Sequence, residues 1–138
     1  MFTIGYEKKD LNELYKILRR NGVKIVVDVR ANPFSYKRGF SKKPLKEFLE
    51  LHKLEYYNIP ELGTTMEERD LFKRKTTIPQ GAEKYKKRVI KYTDKIMAVR
   101  ELEKRGKTVL LCFEKDWRDC HRRVLSEIMF SEKEVTHL

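Results

Sequence analysis

Three consecutive residues in the last part of the chain are of types that could take part in catalysis. Cys120, His121 and Arg122 precede a stretch with helical periodicity, so they are predicted to lie at the start of a helix. The positive end of the helix dipole and the free N–H groups favour an anion there and lower the pKa of a thiol. The segment makes Cys120 a candidate reactive thiol and Arg122 a candidate anion contact, while His121 is a proton carrier, a capping side chain or a surface residue. The alternative is a buried structural cysteine, which is common in proteins.

A second group of polar residues follows a run of β-branched residues. Asp28 and Arg30 lie two positions apart after that run, so both side chains point the same way if the strand pleat continues. Arg30 can then bind a phosphate or a carboxylate while Asp28 orients it; alternatively, the two residues form an ion pair that holds a loop. Glu61 follows another predicted strand and is a candidate general base or metal ligand. Its alternative role is to accept hydrogen bonds from its own turn.

Four further residues are predicted to contact a ligand because each one follows a predicted strand. Tyr6 comes after the first strand, and Ser35 lies in the loop after the second. Cys112 and Glu114 come at the end of the fourth strand. Loops at strand ends carry function more often than the core does, which is the reason for including these residues.

Two short patterns are similar to those of known thiol enzymes. Cys112 and Arg118 have the spacing Cys-x5-Arg of phosphatases that attack phosphate with a thiolate, and Asp28-Val29-Arg30 is similar to a segment of the sulfurtransferases called rhodaneses. A phosphate-binding loop needs converging backbone N–H groups and normally a glycine. The residues between Cys112 and Arg118 include no glycine and two carboxylates, which repel phosphate. The residues between Cys112 and Arg118 therefore argue against a phosphatase loop, although the spacing fits one.

The cysteine and histidine spacings predict neither a metal site nor a bound cofactor. Two cysteines are too few for a disulfide framework, and the chain has no Cys-x2-Cys pair. His52 and His137 are remote in sequence from His121, so no zinc spacing is evident. A disulfide between Cys112 and Cys120 requires the loop between them to fold back, and it would be transient in a reducing cytosol.

An alternation of strands and helices must position these candidates. Ile25, Val26 and Val27 are typical of a strand buried on both faces of a parallel sheet, and Asp10 and Glu13 have the spacing of a capping box. The pattern predicts strands at 2–6, 24–29, 55–59, 108–113 and 135–138, and helices between Asp10 and Asn21, from Pro44, at 82–105 and at 119–129. Residues 63–80 show no period and are predicted to form a mobile, irregular loop.

Five strands interleaved with four helices indicate a single α/β domain over residues 1–138. We expect a three-layer sandwich with a mainly parallel sheet of about five strands. In such sheets, ligands bind outside the carboxyl ends of the strands, where most of the candidate residues are predicted to lie. We therefore expect one concavity at that edge, with the loop 63–80 beside it, lined by Arg30, Glu61, Cys112 and Arg122.

Charge and hydropathy restrict the classes of partner. The 138 residues include 32 basic and 21 acidic ones, a net charge of +11. This surplus attracts phosphate, on a nucleotide, a nucleic acid or an anionic membrane. Alternatively, many Lys and Glu with few Asn and Gln are typical of proteins from hot environments. The chain has no apolar run long enough for a membrane span and no secretion signal, so a cytoplasmic protein without a membrane partner is predicted.

The order of these motifs resembles the domain-of-unknown-function family 488. The resemblance covers nearly the whole chain and implies a shared fold and a shared site, but no reaction. The motifs that carry it are Thr3-Ile4-Gly5-Tyr6, Asp28-Val29-Arg30 with Pro33 and Ser35, Pro60-Glu61-Leu62-Gly63, Leu111-Cys112, Cys120-His121-Arg122 and the closing segment from Val135 to His137.

Three hypotheses for function follow from the residues. The first is a strand-end pocket for a phosphate-bearing ligand, either a small molecule such as a nucleotide or a nucleic acid. The second is a cysteine-dependent enzyme with sulfurtransferase-like or phosphatase-like thiol chemistry at Cys120 or Cys112. The third is a scaffold for protein interactions without catalysis. Salt-sensitive nucleic-acid binding distinguishes the first, and rapid alkylation of one cysteine distinguishes the second.

Overall fold

The protein is described by a computed structural model that covers Met1–Leu138, and it has the predicted α/β architecture. Five strands form one sheet in which every neighbouring pair is parallel. The strands are β1 (Phe2–Gly5), β2 (Ile25–Asp28), β3 (Glu55–Asn58), β4 (Thr108–Cys112) and β5 (Thr136–His137). Their order across the sheet is β3-β2-β4-β1-β5, so β2, β4 and β1 occupy its interior.

Helices cover both faces of the sheet. The helices are α1 (Leu11–Arg20), α2 (Lys42–Leu51), α3 (Met66–Phe72), α4 (Ile78–Val89), α5 (Thr93–Arg105) and α6 (His121–Met129). The first face of the sheet packs against α1 and α2, and the second face packs against α3, α4, α5 and α6. This arrangement confirms the predicted three-layer sandwich. None of the helices has the length and apolar character that crossing a membrane requires.

Two separate hydrophobic cores lie on either side of the sheet, and the strand pleat decides which residue joins which core. Val26 and Leu111 are buried on the first face, whereas their chain neighbours Val27 and Leu110 are buried on the second face. Successive side chains of a strand point to opposite faces, so each interior strand supplies both cores. The run Ile25–Val27 is fully buried for this reason, as its composition predicts.

The start of α1 confirms the predicted capping box. The Asp10 carboxylate accepts a hydrogen bond from the backbone N–H of Glu13 at 2.7 Å, and the Glu13 carboxylate accepts one from the N–H of Asp10 at 3.4 Å. Two N–H groups of the first turn that have no partner within the helix are thereby satisfied.

The prediction of an irregular loop at 63–80 was wrong. This segment contains α3 and a short 3-10 turn, and α4 begins at Ile78. Thr65 and Glu68 form a second capping box at the start of α3, with Thr65 N–H donating to Glu68 at 2.7 Å. The Thr-x-x-Glu spacing was the signal for this helix, but the charged residues around it hid the helical period. Packing of α3 on α4, with an ion pair between buried Glu68 and Arg88, stabilises the segment.

The prediction of one helix over 82–105 was also wrong, because the chain turns between Val89 and Thr93. An apolar stripe at helical spacing continues through the break and conceals it in the sequence. The two halves have different neighbours, since α4 packs against α3 and α6 whereas α5 packs against β2. A straight helix could not contact both sets of partners.

Gly5 ends β1 at a point where no larger side chain fits. A Cβ atom on Gly5 would lie 1.7 Å from the carbonyl oxygen of Glu114. We expect Gly5→Ala to lower the free energy of unfolding by about 1–3 kcal/mol, because the backbone after β4 has to move. Gly106→Ala is the matched control, since its Cβ would meet no atom closer than 3.5 Å. Urea denaturation measures both variants, and equal losses would contradict this expectation.

Candidate functional site

Two thiols, one imidazole and one carboxyl group meet where β4 ends and α6 begins. The sulfur atoms of Cys112 and Cys120 each lie 3.8 Å from Nδ1 of His121. These three atoms lie within 4.8 Å of one another, and all three residues are buried. The sulfur of Cys112 also lies 3.1 Å from Oε2 of Glu114. The four side chains form a compact group, which we call the thiol cluster.

The orientation of His121 in the thiol cluster is set by a residue from another strand. Nε2 of His121 lies 3.0 Å from the carbonyl oxygen of Val29, just after β2. A carbonyl can only accept, so Nε2 carries a proton, and Nδ1 is the ring nitrogen that faces the two sulfurs. The ring of Tyr85 from α4 packs edge-on against the imidazole, with 5.3 Å between ring centroids. The imidazole is therefore held from two sides.

The thiol cluster shifts the pKa values of its two cysteines in opposite directions. Burial opposes ionisation of Cys120, but the hydrogen bond from Cys112 and the positive charge of His121 hold the pKa of Cys120 well below its usual value. The hydrogen bond with Cys120, together with burial, raises the pKa of Cys112 well above its usual value. Burial lowers the pKa of His121, but the Cys120 thiolate outweighs it and raises that pKa. These opposite directions favour Cys120 as the thiolate of the pair and Cys112 as the protonated thiol.

Glu114 is a carboxyl group that keeps its proton near neutral pH. Burial and the neighbouring Cys120 thiolate raise the pKa of Glu114 to about 7. At this value the group can give up or accept a proton at physiological pH, which suits general acid–base catalysis.

Arg122 holds the loop beside the thiol cluster and has no exposed surface. Its guanidinium donates to the backbone carbonyls of Glu114 at 2.6 Å and Lys115 at 3.2 Å, and its Nε lies 3.4 Å from the hydroxyl of Thr3. These contacts position Glu114 and satisfy buried carbonyl groups. None of these contacts supports binding of an anion by Arg122, so that role stays a prediction.

Asp28 and Arg30 form a separate buried group on the first face of the sheet. The guanidinium of Arg30 donates to both carboxylate oxygens of Asp28, at 2.8 and 2.7 Å. It also donates to the hydroxyl of Tyr6 at 3.0 Å and to the carbonyl of Phe40 at 2.7 Å, while the hydroxyl of Tyr56 donates to Asp28. Of the two interpretations of this pair, the geometry favours the ion pair that holds a loop.

The expected single concavity is therefore wrong. Asp28, Tyr6 and Arg30 lie at strand ends on the first face of the sheet, whereas the thiol cluster lies on the second face. The strand pleat separates them, because Asp28 pairs in register with Leu111 and so shares its face, whereas Cys112 points the other way.

Glu61 and Ser35 lie outside both groups. The Glu61 carboxylate is 37% exposed and lies 3.8 Å from the ammonium group of Lys95, so it is part of a surface ion pair. Ser35 accepts a hydrogen bond from the N–H of Lys37 at 3.1 Å and bonds through its backbone to Ser41, which shapes the loop before α2. The structure brings neither residue to the thiol cluster.

The Cys-x5-Arg spacing does not form a phosphate loop. The Arg118 guanidinium is exposed and binds the carboxylate of Asp116 at 2.9 and 3.0 Å. Cys112 points instead into the second core, toward His121. The sequence argument against a phosphatase agrees with this geometry.

Several residues that build these two groups were absent from the sequence-based site. Tyr56 binds the Asp28 carboxylate, and a signal for it existed, because a tyrosine in a buried strand needs a partner for its hydroxyl. Thr3, Tyr85 and the carbonyl of Val29 carried no such signal. Their roles depend on which elements become neighbours in three dimensions.

Trp117, the only tryptophan of the chain, stacks on the ring of His137. The rings of Trp117 and His137 stack 4.0 Å apart at 3°, and the Thr3 hydroxyl lies 2.6 Å from Nδ1 of His137. Arg122 donates to the Thr3 oxygen, so Thr3 is left to donate to an unprotonated Nδ1. Burial lowers the pKa of His137, and the positive charge of Arg122 lowers it further.

We expect the fluorescence of Trp117 to titrate with a midpoint below pH 6.5, the usual pKa of histidine. A histidine pKa that is lower in the folded state means that the unfolded chain binds more protons, so stability falls as the pH drops below about 6.5. A fluorescence titration of the parent and of His137→Gln measures this effect. A midpoint at or above 6.5, or an unchanged titration in His137→Gln, would contradict it.

Most of the chain, including both buried groups, matches one protein family. Residues 10–129 match the family described as "Domain of unknown function DUF488". A search of curated proteins and a search of solved structures each gave no match to the chain. The match includes the residues of the thiol cluster and the Asp28–Arg30 pair. The chain therefore belongs to the family of domain of unknown function DUF488.

Proposed function

We propose that the protein is a cysteine-dependent enzyme in which Cys120 is the nucleophile and Cys112 is a second, resolving thiol. The observation that carries this proposal is the convergence of two sulfur atoms on one imidazole nitrogen, 3.8 Å from each. A thiolate with an adjacent base and a fixed orientation is the usual arrangement for nucleophilic catalysis by cysteine. The second thiol within reach favours a sulfur electrophile, such as a disulfide, over a phosphate ester.

The chemistry proceeds in two balanced steps. The Cys120 thiolate attacks one sulfur of a substrate disulfide, a mixed disulfide forms, and the departing thiolate takes a proton from His121. Cys112 then loses its proton to His121 and attacks the sulfur of Cys120. A disulfide between Cys112 and Cys120 closes, and the second substrate thiolate leaves and is protonated in turn. An external thiol reductant restores the two protein thiols.

The test is site-resolved alkylation of the reduced, chelator-treated protein. Cys120 and Cys112 are only 1% and 4% exposed, so the reagent should be small, such as iodoacetamide. At pH 7 we expect modification of Cys120 to be faster than that of Cys112, because only Cys120 is held as a thiolate. Cys120→Ser should lose the fast phase, whereas His52→Gln on the opposite side of the sheet should keep it.

Oxidation supplies the second measurement. Oxidised glutathione should produce an intramolecular disulfide between Cys112 and Cys120, seen by mass spectrometry as the loss of two hydrogens. If neither fast alkylation nor this disulfide occurs in the folded protein, the proposal is wrong and an interaction scaffold without catalysis explains the fold better.

A second candidate function is binding of a phosphate-bearing ligand. The site proposed for it is a groove beside α6 and not a pocket shared by Arg30 and Arg122. This groove, of about 550 Å³, is lined by Trp117, His137, two arginines (Arg118 and Arg123) and two glutamates (Glu127 and Glu132), among others. Glu127 forms an ion pair with Arg123 at 3.1 Å, and a phosphate would have to compete with it. The Nε–H of Arg123 is buried there without a hydrogen-bond acceptor. An unsatisfied buried donor is costly, so an acceptor such as a phosphate oxygen would stabilise it.

Titration with a nucleotide and with a short oligonucleotide tests this second candidate. We expect quenching of Trp117 fluorescence, weaker binding at high salt, and loss of binding in Arg123→Gln but not in Arg19→Gln, an exposed arginine on α1. Equal binding by the two variants would place the interaction on the general basic surface.

A further inference from the structure

We propose that Cys112, Cys120 and His121 bind one zinc ion, with Glu114 as the fourth ligand. Three donor atoms of types that zinc prefers, two sulfurs and an imidazole nitrogen, lie within 4.8 Å of one another. Ligands held by one tetrahedral zinc at its usual bond lengths lie about 3.3–3.8 Å apart. The observed distances of 3.8 Å from Nδ1 to each sulfur are at the upper end of that range, so only small side-chain movements are needed.

The orientation of His121 suits a metal ligand. Its Nε2–H donates to the carbonyl of Val29 at 3.0 Å, which turns Nδ1 toward the two sulfurs, where its lone pair can bind a cation once Nδ1 has lost its proton. Metal-binding histidines almost always donate their other ring N–H to a carbonyl or a carboxylate in this way. Tyr85 packs against the ring and restricts its rotation.

Glu114 can supply the fourth ligand after a movement of its side chain. Its Oε2 lies 3.1 Å from the sulfur of Cys112, so one ion can contact both atoms. The carboxylate lies outside the 4.8 Å group of the other three donors and has to turn toward them. Arg122 holds the backbone carbonyl of Glu114 at 2.6 Å, and Gly5 leaves space for that carbonyl by having no side chain. The loop that carries the fourth ligand is therefore fixed before any ion binds.

Burial and charge favour an ion of this type. Two adjacent buried sulfur ligands are costly to ionise without a compensating cation, and a divalent ion would balance both negative charges. Sulfur and imidazole donors favour zinc over magnesium or calcium, which prefer oxygen ligands. The ligands do not follow one of the short sequence spacings of common zinc motifs. Cys112 is the last residue of β4, and Cys120 is the N-cap residue of α6.

Zinc binding and thiol chemistry would exclude one another, since both use the sulfur of Cys120. This regulatory consequence rests on the proposed function, whereas the zinc site rests only on the positions of the donor atoms. Bound zinc would then protect Cys120 from alkylation, and its removal would release the thiolate.

The experiment is a titration of the reduced, metal-free full-length protein with Zn²⁺ and with Co²⁺. We expect one ion per chain, a sulfur-to-cobalt charge-transfer band, and visible bands of tetrahedral cobalt. Cys112→Ser and Cys120→Ser should lose the charge-transfer intensity and more than about 100-fold in affinity, while Glu114→Gln should lose roughly 10–100-fold. His52→Asn is the control, because His52 is the C-cap residue of α2 and lies on the first face of the sheet, and it should bind zinc and cobalt as the parent does. Mg²⁺ should not compete.

The charge-transfer band of the parent decides the question even if a cysteine variant fails to fold. Absence of that band, or a stoichiometry that the serine variants leave unchanged, overturns the zinc site. Alkylation measured on the same preparations separates the two proposals. Fast alkylation of the metal-free protein without zinc binding overturns the zinc site alone, and zinc binding without fast alkylation overturns the thiol enzyme alone.

Discussion

Replacing Asp28 by alanine is expected to lower the free energy of unfolding by about 3–5 kcal/mol. Asp28 is fully buried and Arg30 is 6% exposed, so the substitution leaves a buried guanidinium without its counter-charge. Burial opposes the charge on Arg30, and in the parent the hydrogen bonds to Asp28 raise the pKa of Arg30. Arginine stays protonated in proteins even without such a partner, so the guanidinium cannot escape the penalty by losing its proton. The Tyr56 hydroxyl also loses its acceptor.

The chain offers a matched control for this prediction. Asp116 and Arg118 have the same spacing and the same two-pronged contact, but Arg118 is 70% exposed. Asp116→Ala should therefore leave the free energy of unfolding nearly unchanged, because water screens an exposed ion pair. Chemical denaturation of both variants measures the difference, and adding Arg30→Met to Asp28→Ala should recover part of the loss. Equal costs at Asp28 and Asp116 would show that the buried pair contributes little.

Replacing His121 by glutamine is expected to slow alkylation of Cys120 at pH 7 by about thirtyfold or more. In the parent the imidazole helps to hold the pKa of Cys120 well below its usual value. A thiol of ordinary pKa is only about 3% ionised at pH 7, and burial without the imidazole reduces that fraction further.

The pH profile distinguishes loss of charge stabilisation from a general disturbance of the site. In the metal-free parent the alkylation rate should change little between pH 6 and 8, whereas in His121→Gln it should rise about tenfold per pH unit. His52→Gln serves as the control, because His52 contacts Phe48 and Tyr15 on the first face and lies far from the cluster in the fold. A flat profile in His121→Gln would show that another group holds the thiolate.

Local patterns predicted the elements that depend on neighbours in sequence. The β-branched run at Ile25–Val27 predicted a buried parallel strand, and the Asp10-x-x-Glu13 spacing predicted the start of α1. The motif order also predicted the family, which the match over 10–129 confirms. The same reasoning failed for α3, because that helix is stabilised by packing on α4 and by the Glu68–Arg88 ion pair rather than by a long apolar stripe.

The sequence by itself determined that reactive and polar residues follow the strands of a parallel sheet. Only the tertiary structure decided which of them meet. Asp28 and Cys112 both end interior strands, yet pleat and register send them to opposite faces. Nδ1 of His121 faces two sulfurs because Val29, 92 positions away in sequence, binds its other nitrogen. Charge pairing depends on distances through space, and those distances are set only when the helices pack against the sheet.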